Sequence, residues 1–323
     1  MRLALFLLAA AFAAPALAQD SKAWLESQGL EAVDAKAFQD WEAIVARVKG
    51  AKTPAEAQAR VVVFQKGGKL AWQSNPKENE PAETWTIHSI GRDLDGDGKP
   101  DLHFSGFTNG AHCCTTHYVY RLAPQVKKLA AYPARNVGGG DFVDLAGRKT
   151  PIMVSADDSS AYEFAPYANS YFPAVIVEVS PKGRFQLAVD LMRSKLPGMP
   201  PPICTTAVAA TNPWLRERCG EFASDKRKAR VAEIASKLRE IKGERAADKL
   251  KWEDYVGRGI LAAAAAEMNR YTYTGFGGAG QNWLEGVWPG NDAVKIRFIE
   301  SLRKTQGASV FAEDLRVISQ DAR

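Results

Sequence analysis

Residues 93–101 read Asp93-Leu94-Asp95-Gly96-Asp97-Gly98-Lys99-Pro100-Asp101, and the alternating segment Leu102 to Phe107 follows them directly. Within this stretch carboxylates stand at positions one, three, five and nine, and glycines stand at positions four and six. Carboxylate oxygen is the ligand that hard cations such as calcium require, and glycine permits the sharp turn on which such ligands converge. Without a cation, acids this close together would repel one another. The stretch therefore predicts a calcium-binding loop that leads into a β-strand.

The predicted ligand set combines side-chain carboxylates with one backbone carbonyl. The carboxylates are those of Asp93, Asp95, Asp97 and Asp101, and the carbonyl is that of Lys99. An EF-hand is excluded, because that motif has a bidentate glutamate at position twelve and a helix behind it. Position twelve here is Phe104, and Pro100 interrupts any run into a helix. An ordinary acidic turn without an ion is the alternative interpretation.

A loop of this kind followed by a strand resembles the FG-GAP or VCBS repeat, the calcium-binding blade of integrin-type β-propellers. A weak second copy supports the resemblance. Residues 144–152 align with residues 93–101 at an offset of 51 residues (144 − 93), which lies within the blade range. Asp, Leu, Gly and Pro stay in register, but Ala146, Arg148 and Ile152 stand at ligand positions. The second copy is therefore predicted to keep the turn and to lack the metal.

The repeats predict an open array of blade-like sheets, because a closed propeller needs at least four blades. Alternating segments between residues 60 and 196 predict an antiparallel β-domain with room for about three sheets of about 45 residues each. Residues 22–50 carry an apolar stripe at helical spacing, so residues 19–59 are predicted to form an N-terminal helical segment. After a proline-rich linker at 197–202, helical spacing returns and predicts an α-helical domain over 203–323. The predicted fold class is α+β.

Residues 1–18 have the pattern of a secretory signal peptide. Arg2 precedes an apolar run from Leu3 to Ala14, and Ala16-Leu17-Ala18 supplies the small residues of a cleavage site. Cleavage after Ala18 would leave 305 residues (323 − 18) with a formal charge of +4, which is the whole chain's +5 less Arg2. The apolar run is too short for a stable bilayer-spanning helix, and no second hydrophobic span follows. We therefore expect a periplasmic or secreted protein without a membrane span in the mature chain.

The chain has four cysteines, an even number that fits an oxidising compartment. Cys204 and Cys219 are near enough in sequence for a bridge between them to close a short loop. A bridge that closes a loop of about 15 residues stabilises a protein by roughly 3 kcal/mol on the chain-entropy estimate. The adjacent residues Cys113 and Cys114 allow two arrangements. We favour a vicinal pair beside a Cys204–Cys219 bridge over two bridges that join the adjacent pair to Cys204 and Cys219.

The four histidines, His88, His103, His112 and His117, all fall in one short region between positions 88 and 117. His112-Cys113-Cys114-Thr115-Thr116-His117 offers two imidazoles and two thiols, which suit zinc or copper. His112 and His117 are therefore candidates for a second metal site, and the participation of His88 and His103 stays open. Oxidation of the cysteines would remove the thiolates, and the spacing matches no common zinc motif. A structural role with hydrogen-bonded histidines is the stronger interpretation.

A second resemblance rests on Gly110-Ala111-His112-Cys113-Cys114 and on Asp157-Asp158 before an aromatic run from Tyr162 to Phe172. Together they resemble a group of poorly characterised exported bacterial proteins over about residues 60–190, which implies blade-type calcium binding and no established activity. No nucleophile elbow or H-E-x-x-H motif is present. We expect an exported, calcium-binding interaction or structural module of the cell envelope that is not an enzyme. The alternative is an envelope metal-dependent enzyme or redox protein that uses the His112 to His117 segment.

The expected partner is a protein or an envelope polymer, and no nucleic acid is expected. Residues 225–251 carry ten Lys or Arg against five acids, a balance typical of a solvated helix face. Binding of an anionic polymer to this face is a third alternative. Asp157 and Asp158 are predicted to be solvated loop acids. Gly275 to Gly280 match G-x-G-x-x-G formally, but they lack the context of a dinucleotide fingerprint and are predicted to form a flexible loop.

Overall fold

The computed structural model describes residues 18–75, 82–110, 113–243, 251–288 and 292–320. The signal-peptide prediction concerns residues 1–18, of which 1–17 lie outside this range. The strands are β1 Leu30–Phe38, β2 Trp41–Val48, β3 Arg60–Gln65, β4 Lys69–Gln73, β5 Thr84–Arg92, β6 Asp101–Phe107, β7 Thr115–Arg121, β8 Lys127–Arg135, β9 Phe142–Val143, β10 Ile152–Ala156, β11 Ala174–Ser180 and β12 Arg184–Leu187.

The helices lie mainly in the C-terminal part of the chain. They are α1 Gln19–Ser27, α2 Pro54–Ala57, α3 Val189–Met192, α4 Ala207–Thr211, α5 Pro213–Gly220, α6 Ser224–Gly243, α7 Trp252–Gly257, α8 Ile260–Tyr273, α9 Gly277–Val287, α10 Ala293–Gly307 and α11 Ala312–Gln320. Short 3-10 turns occupy Tyr167–Asn169 and Pro202–Thr205. Within the described ranges, no helix is long and apolar enough to cross a membrane.

The strands form three four-stranded antiparallel sheets in which neighbours in sequence are neighbours in space. The first sheet has the order β1-β2-β3-β4, the second β5-β6-β7-β8 and the third β12-β11-β10-β9. This up-and-down order of four strands is that of a propeller blade, and the described residues form no closed barrel or propeller. The mixed α+β class and the open array of sheets are therefore as predicted.

The predicted helix over residues 22–50 is wrong beyond residue 27. Helix α1 ends at Ser27, and Gly29 reverses the chain with a φ of +67°. The rest of the segment forms the hairpin β1–β2, whose tight turn places Gln39 at a φ of +51°. Strand β2 lies between β1 and β3 and is buried on both faces, so its apolar run does not alternate. A continuous apolar run of this kind fits a helix and a central strand equally well.

The described residues group into two compact units. The first unit extends to Arg92 and includes Lys99–Asn109 and Val119–Lys128. Its core lies between α1 and the first sheet, where Trp24 packs against Phe64 with ring centroids 5.3 Å apart. Within the same unit, the indole nitrogen of Trp85 on β5 donates a hydrogen bond to the Ala59 carbonyl oxygen at 2.9 Å.

The second unit comprises Asp93–Gly98, Gly110–Tyr118 and the chain from Leu129. Its helical core contains Trp288, Phe298 and Ile260, and Phe164 from the β10–β11 connection packs into the same cluster. The Cys204–Cys219 disulfide joins the turn before α4 to α5 across a Cα–Cα distance of 5.5 Å. Cys113 and Cys114 form a vicinal disulfide, the pairing that the sequence analysis favoured.

The glycine-rich segment from Gly275 to Gly280 is only partly a loop, because α9 begins at Gly277. Gly280 lies inside α9, where an added Cβ would come within 2.9 Å of the Tyr271 Cβ. The lack of a side chain at position 280 therefore permits close packing of α9 against α8. The predicted flexible loop is therefore corrected to a helix start.

Candidate metal-binding loop and its surroundings

The acidic loop connects β5 to β6 and is organised by its own carboxylates. Asp93 accepts hydrogen bonds from the backbone amides of Gly96 at 2.7 Å and Gly98 at 2.8 Å, one to each carboxylate oxygen. Asp95 accepts a hydrogen bond from the Asp97 amide at 3.1 Å. The backbone amides thus hold the first two acids in fixed orientations, which is the preorganisation that a cation site needs.

Both glycines of the loop are required by its backbone. Gly96 has a φ of +80° and Gly98 a φ of +84°, a region that L side chains rarely adopt. At Gly96 the space is also restricted, because an added Cβ would lie 2.9 Å from the Thr150 Cγ2. The sequence prediction that these glycines turn the loop back on itself is confirmed.

Three of the predicted ligands converge. Carboxylate oxygens of Asp93, Asp95 and Asp101 lie within 4.8 Å of one another, close enough for one ion to bind all three. Asp95 and Asp101 are 1% and 0% exposed. A cation bound between these carboxylates would offset the cost of burying their charges together. Asp97 and Lys99 are exposed positions of the same loop and are not part of this convergence.

The second copy of the loop has the same backbone framework. The ladder pair Arg92–Asp101 that closes the first loop corresponds to Val143–Ile152 in the third sheet, at the predicted offset of 51 residues (143 − 92 and 152 − 101). Gly147, the counterpart of Gly96, has a φ of +83°. The two loops therefore turn in the same way between paired strands.

The second copy uses a side-chain cation in place of ligands. Arg148 stands where the first loop has Asp97, and its guanidinium forms ion pairs with Glu178 and Asp190. The next residue, Lys149, donates a hydrogen bond from Nζ to the Gly96 carbonyl oxygen. Ion pairs of its own side chains thus stabilise the second copy of the loop, and Lys149 also contacts the acidic loop directly.

The four predicted histidines have different positions. His112 lies outside the described residues. His88, His103 and His117 lie on β5, β6 and β7, and one ring nitrogen from each lies within 4.8 Å of the others. The proposed use of Cys113 and Cys114 as thiolate ligands is not supported, since the two form a disulfide. The sequence spacing indicated His112 and His117 as candidate metal ligands. In the structure, the pairing of β5, β6 and β7 brings His88 and His103 close to His117.

Asp157 and Asp158 are not solvated loop acids, and that prediction is corrected. Asp157 is 4% exposed and accepts hydrogen bonds from the Tyr273 hydroxyl at 2.5 Å, the Ser159 amide at 2.9 Å and the Ser309 hydroxyl. Burial, with the adjacent Asp157 carboxylate as the next cause, raises the pKa of Tyr273 well above its usual range, so its hydroxyl stays a donor. Asp158 is also buried and accepts from the Asn136 amide at 2.8 Å.

The aromatic segment divides between core and surface. Phe164 is buried in the helical core, whereas Tyr162 is exposed. Tyr167 and Phe172 line a cavity of about 350 Å³ together with Trp214. Some of the segment therefore packs internally, and some of it faces a cleft of the second unit.

The basic helix α6 directs two of its arginines inward. Arg227 donates to Glu267 at 2.9 Å, and Arg230 donates to the Glu221 carbonyl oxygen at 2.6 Å. Arg270 completes this network by bonding Glu267 at 3.0 Å and Glu221 at 2.8 Å. Part of the positive charge on α6 therefore pairs with the buried carboxylate of Glu267 instead of facing solvent.

Comparison with known proteins adds one short similarity. The chain is 33% identical over 78 residues to the uncharacterized protein y4bJ of Sinorhizobium fredii (strain NBRC 101917 / NGR234). This match covers 24% of the chain and 12% of that protein's length. No protein-family model matches the sequence. No solved structure matches it either.

Proposed function

We propose that this protein is an exported calcium-binding module of the cell envelope, structural or interactive in role and not an enzyme. The convergence of Asp93, Asp95 and Asp101 within one glycine-turned loop carries the proposal. Calcium takes six to eight oxygen ligands in a flexible arrangement, so Asp97 and the Lys99 carbonyl complete the protein's share and water supplies the rest. The exposed positions of Asp97 and Lys99 give such water access to the ion.

The ion acts on the turn between β5 and β6. With calcium bound, the carboxylates at both ends of the loop bind the same ion, which keeps Arg92 paired with Asp101 across β5 and β6. Without calcium the same acids repel one another, and the loop loosens from its strands. Calcium is therefore proposed to be a structural element of the second sheet.

The proposed origin of the loop is a blade of the FG-GAP or VCBS type. The sequential four-stranded sheets and the second loop, which is closed by the ladder pair Val143–Ile152, support this origin. In the second loop the ion pairs of Arg148 with Glu178 and Asp190 replace the stabilisation that calcium provides in the first loop. The partner of the module is proposed to be a protein or an envelope polymer.

A calcium titration of the metal-stripped protein tests the proposal. We expect one strong calcium site per chain. Magnesium is expected to bind more weakly, because it requires a smaller octahedral arrangement of ligands. Asp97→Ala removes a ligand and is expected to weaken calcium binding at least about tenfold, as loss of a supporting residue does in metal sites generally. Asp144→Ala changes the aspartate that opens the degenerate loop and is the matched control, with unchanged affinity expected.

If Asp97→Ala binds calcium as tightly as the wild type does, Asp97 is not a calcium ligand. No heat of calcium binding to the wild-type protein would overturn the proposed function itself. Calorimetry in a buffer treated with a chelating resin separates these results.

A further inference from the structure

Three histidines occupy three neighbouring strands of the second sheet. His103 lies on β6, and the flanking strands β5 and β7 carry His88 and His117. One ring nitrogen of each histidine lies within 4.8 Å of those of the other two. We propose that these three histidines form a transition-metal site, separate from the calcium loop, that binds a borderline divalent ion of the zinc or copper type.

A β-bulge accounts for the pairing of His88 with His103. Ile87 pairs with Phe104 and Ser89 pairs with His103, so His88 is the extra residue between them. A bulge places two residues of one strand opposite one residue of its partner and redirects a side chain. His88 therefore shares the face of His103, and the two rings stack with centroids 4.4 Å apart and an interplanar angle of 20°.

Hydrogen bonds orient the outer two rings. His117 Nε2 lies 2.6 Å from the Gly138 carbonyl oxygen. A carbonyl oxygen can only accept, so Nε2 carries the hydrogen, and in the neutral ring Nδ1 carries the lone pair. Metal-binding histidines commonly donate their other N–H to a carbonyl in this way, which fixes the tautomer and the ring orientation. His88 Nε2 lies 2.8 Å from the Ser105 hydroxyl.

The residue next to Gly138 also preserves this arrangement. Gly139 has a φ of +96°, and an added Cβ would lie 2.8 Å from His117 Nε2. A side chain at position 139 would therefore displace the imidazole from its carbonyl partner. Glycine at this point leaves room for His117 to keep its orientation.

The donor set decides the class of ion. Imidazole nitrogen suits zinc, copper and nickel, whereas calcium requires oxygen. Zn–N bonds of about 2.0–2.1 Å in a tetrahedron place nitrogen atoms about 3.3 Å apart. The three ring nitrogens lie within 4.8 Å of one another, so binding one ion requires them to approach by at most about 1.5 Å. The stacked His88 and His103 rings must also rotate, so that both lone pairs point at the ion. His103 and His117 are buried, so the site would be screened from bulk water.

The test is a zinc titration of metal-free protein in the presence of calcium, read by competition with a chromophoric chelator. We expect one zinc per chain in the wild type. His103→Gln removes a ligand and is expected to lower zinc affinity at least about 100-fold, because loss of an outer hydrogen-bond partner alone costs about 10- to 100-fold. Calcium binding by the same variant, measured in parallel, establishes that it is folded.

Serine variants provide a milder test that leaves all three histidines in place. Ser105→Ala removes the hydroxyl that contacts His88, and about a tenfold loss of zinc affinity is expected. Ser89→Ala, on the same bulge, is the matched control, and we expect its affinity to equal that of the wild type. Absence of zinc and copper uptake by the wild type would overturn the proposal. Unchanged zinc affinity in the folded His103→Gln variant would overturn it equally.

Discussion

Asp95→Asn is expected to lower the melting temperature of the calcium-loaded protein by about 4 °C. Ligand at about 100 times its Kd stabilises a folded protein by about 2.7 kcal/mol. At an unfolding entropy of about 2.1 cal/mol/K per residue, each kcal/mol corresponds to about 1.5 °C in a chain of about 300 residues. Asparagine keeps the shape of aspartate and removes its charge, so a buried charged ligand is lost with little change in packing. Thermal unfolding followed by circular dichroism gives the shift.

The same substitution is expected to have no destabilising effect in the presence of a chelator. Without calcium, Asp95 faces the like charges of Asp93 and Asp101, and neutralising it relieves repulsion. The variant should then melt at or above the wild-type temperature. Asp144→Asn serves as the control, because the second loop is fastened by Arg148 and should not respond to calcium. An equal loss of stability in calcium and in chelator would contradict a metal role for Asp95.

Asp157→Ala is expected to lower the free energy of unfolding by about 3 kcal/mol or more. The substitution leaves the buried hydroxyls of Tyr273 and Ser309 without their shared acceptor. Each buried unsatisfied polar group costs about 1–3 kcal/mol. Because the pKa of Tyr273 is raised well above its usual range by burial, the tyrosine cannot relieve the loss by ionising. Urea denaturation at neutral pH measures the effect.

The control for Asp157 is Glu313→Ala. The Glu313 side chain is 76% exposed, so its removal is expected to change stability by less than about 0.5 kcal/mol. A change as small in Asp157→Ala would contradict the structural role of this carboxylate. Together, the two variants separate a buried hydrogen-bond centre from an ordinary surface acid.

The acidic loop was predictable because its information is local. Ligand type, glycine positions and the following strand are all contained in residues 93–107, and the structure reproduces the turn and the convergence of Asp93, Asp95 and Asp101. The second copy was equally predictable from the sequence. Gly147 aligns with Gly96 and also has the same backbone conformation. Neither inference needed contacts between distant parts of the chain.

The first sheet was missed because the apolar run of β2 has no periodicity of its own. Residues 43–46 are buried on both faces, and only pairing with β1 and β3 identifies them as a strand. The first sheet therefore starts at Leu30, and the three four-stranded sheets together extend from Leu30 to Leu187. The sequence predicted room for about three sheets between residues 60 and 196, but that region holds two complete sheets and only half of the first.

Burial of Asp157 and convergence of the histidines depend on long-range contacts. Asp157 meets Tyr273 and Ser309, which are 116 and 152 residues away in sequence. His88 shares a face with His103 only because of one bulge residue, and strand alternation alone gives no sign of it. Sequence spacing therefore could suggest that histidines matter here, but not which of them meet.

A crystal structure of the protein grown in calcium tests the calcium site most directly. We expect an ion in the loop with carboxylate oxygens of Asp93, Asp95, Asp97 and Asp101 and the Lys99 carbonyl oxygen at about 2.3–2.6 Å, the range of calcium–oxygen bonds. Anomalous scattering identifies the element. A loop that stays free of calcium while its four carboxylates point apart would rule the site out.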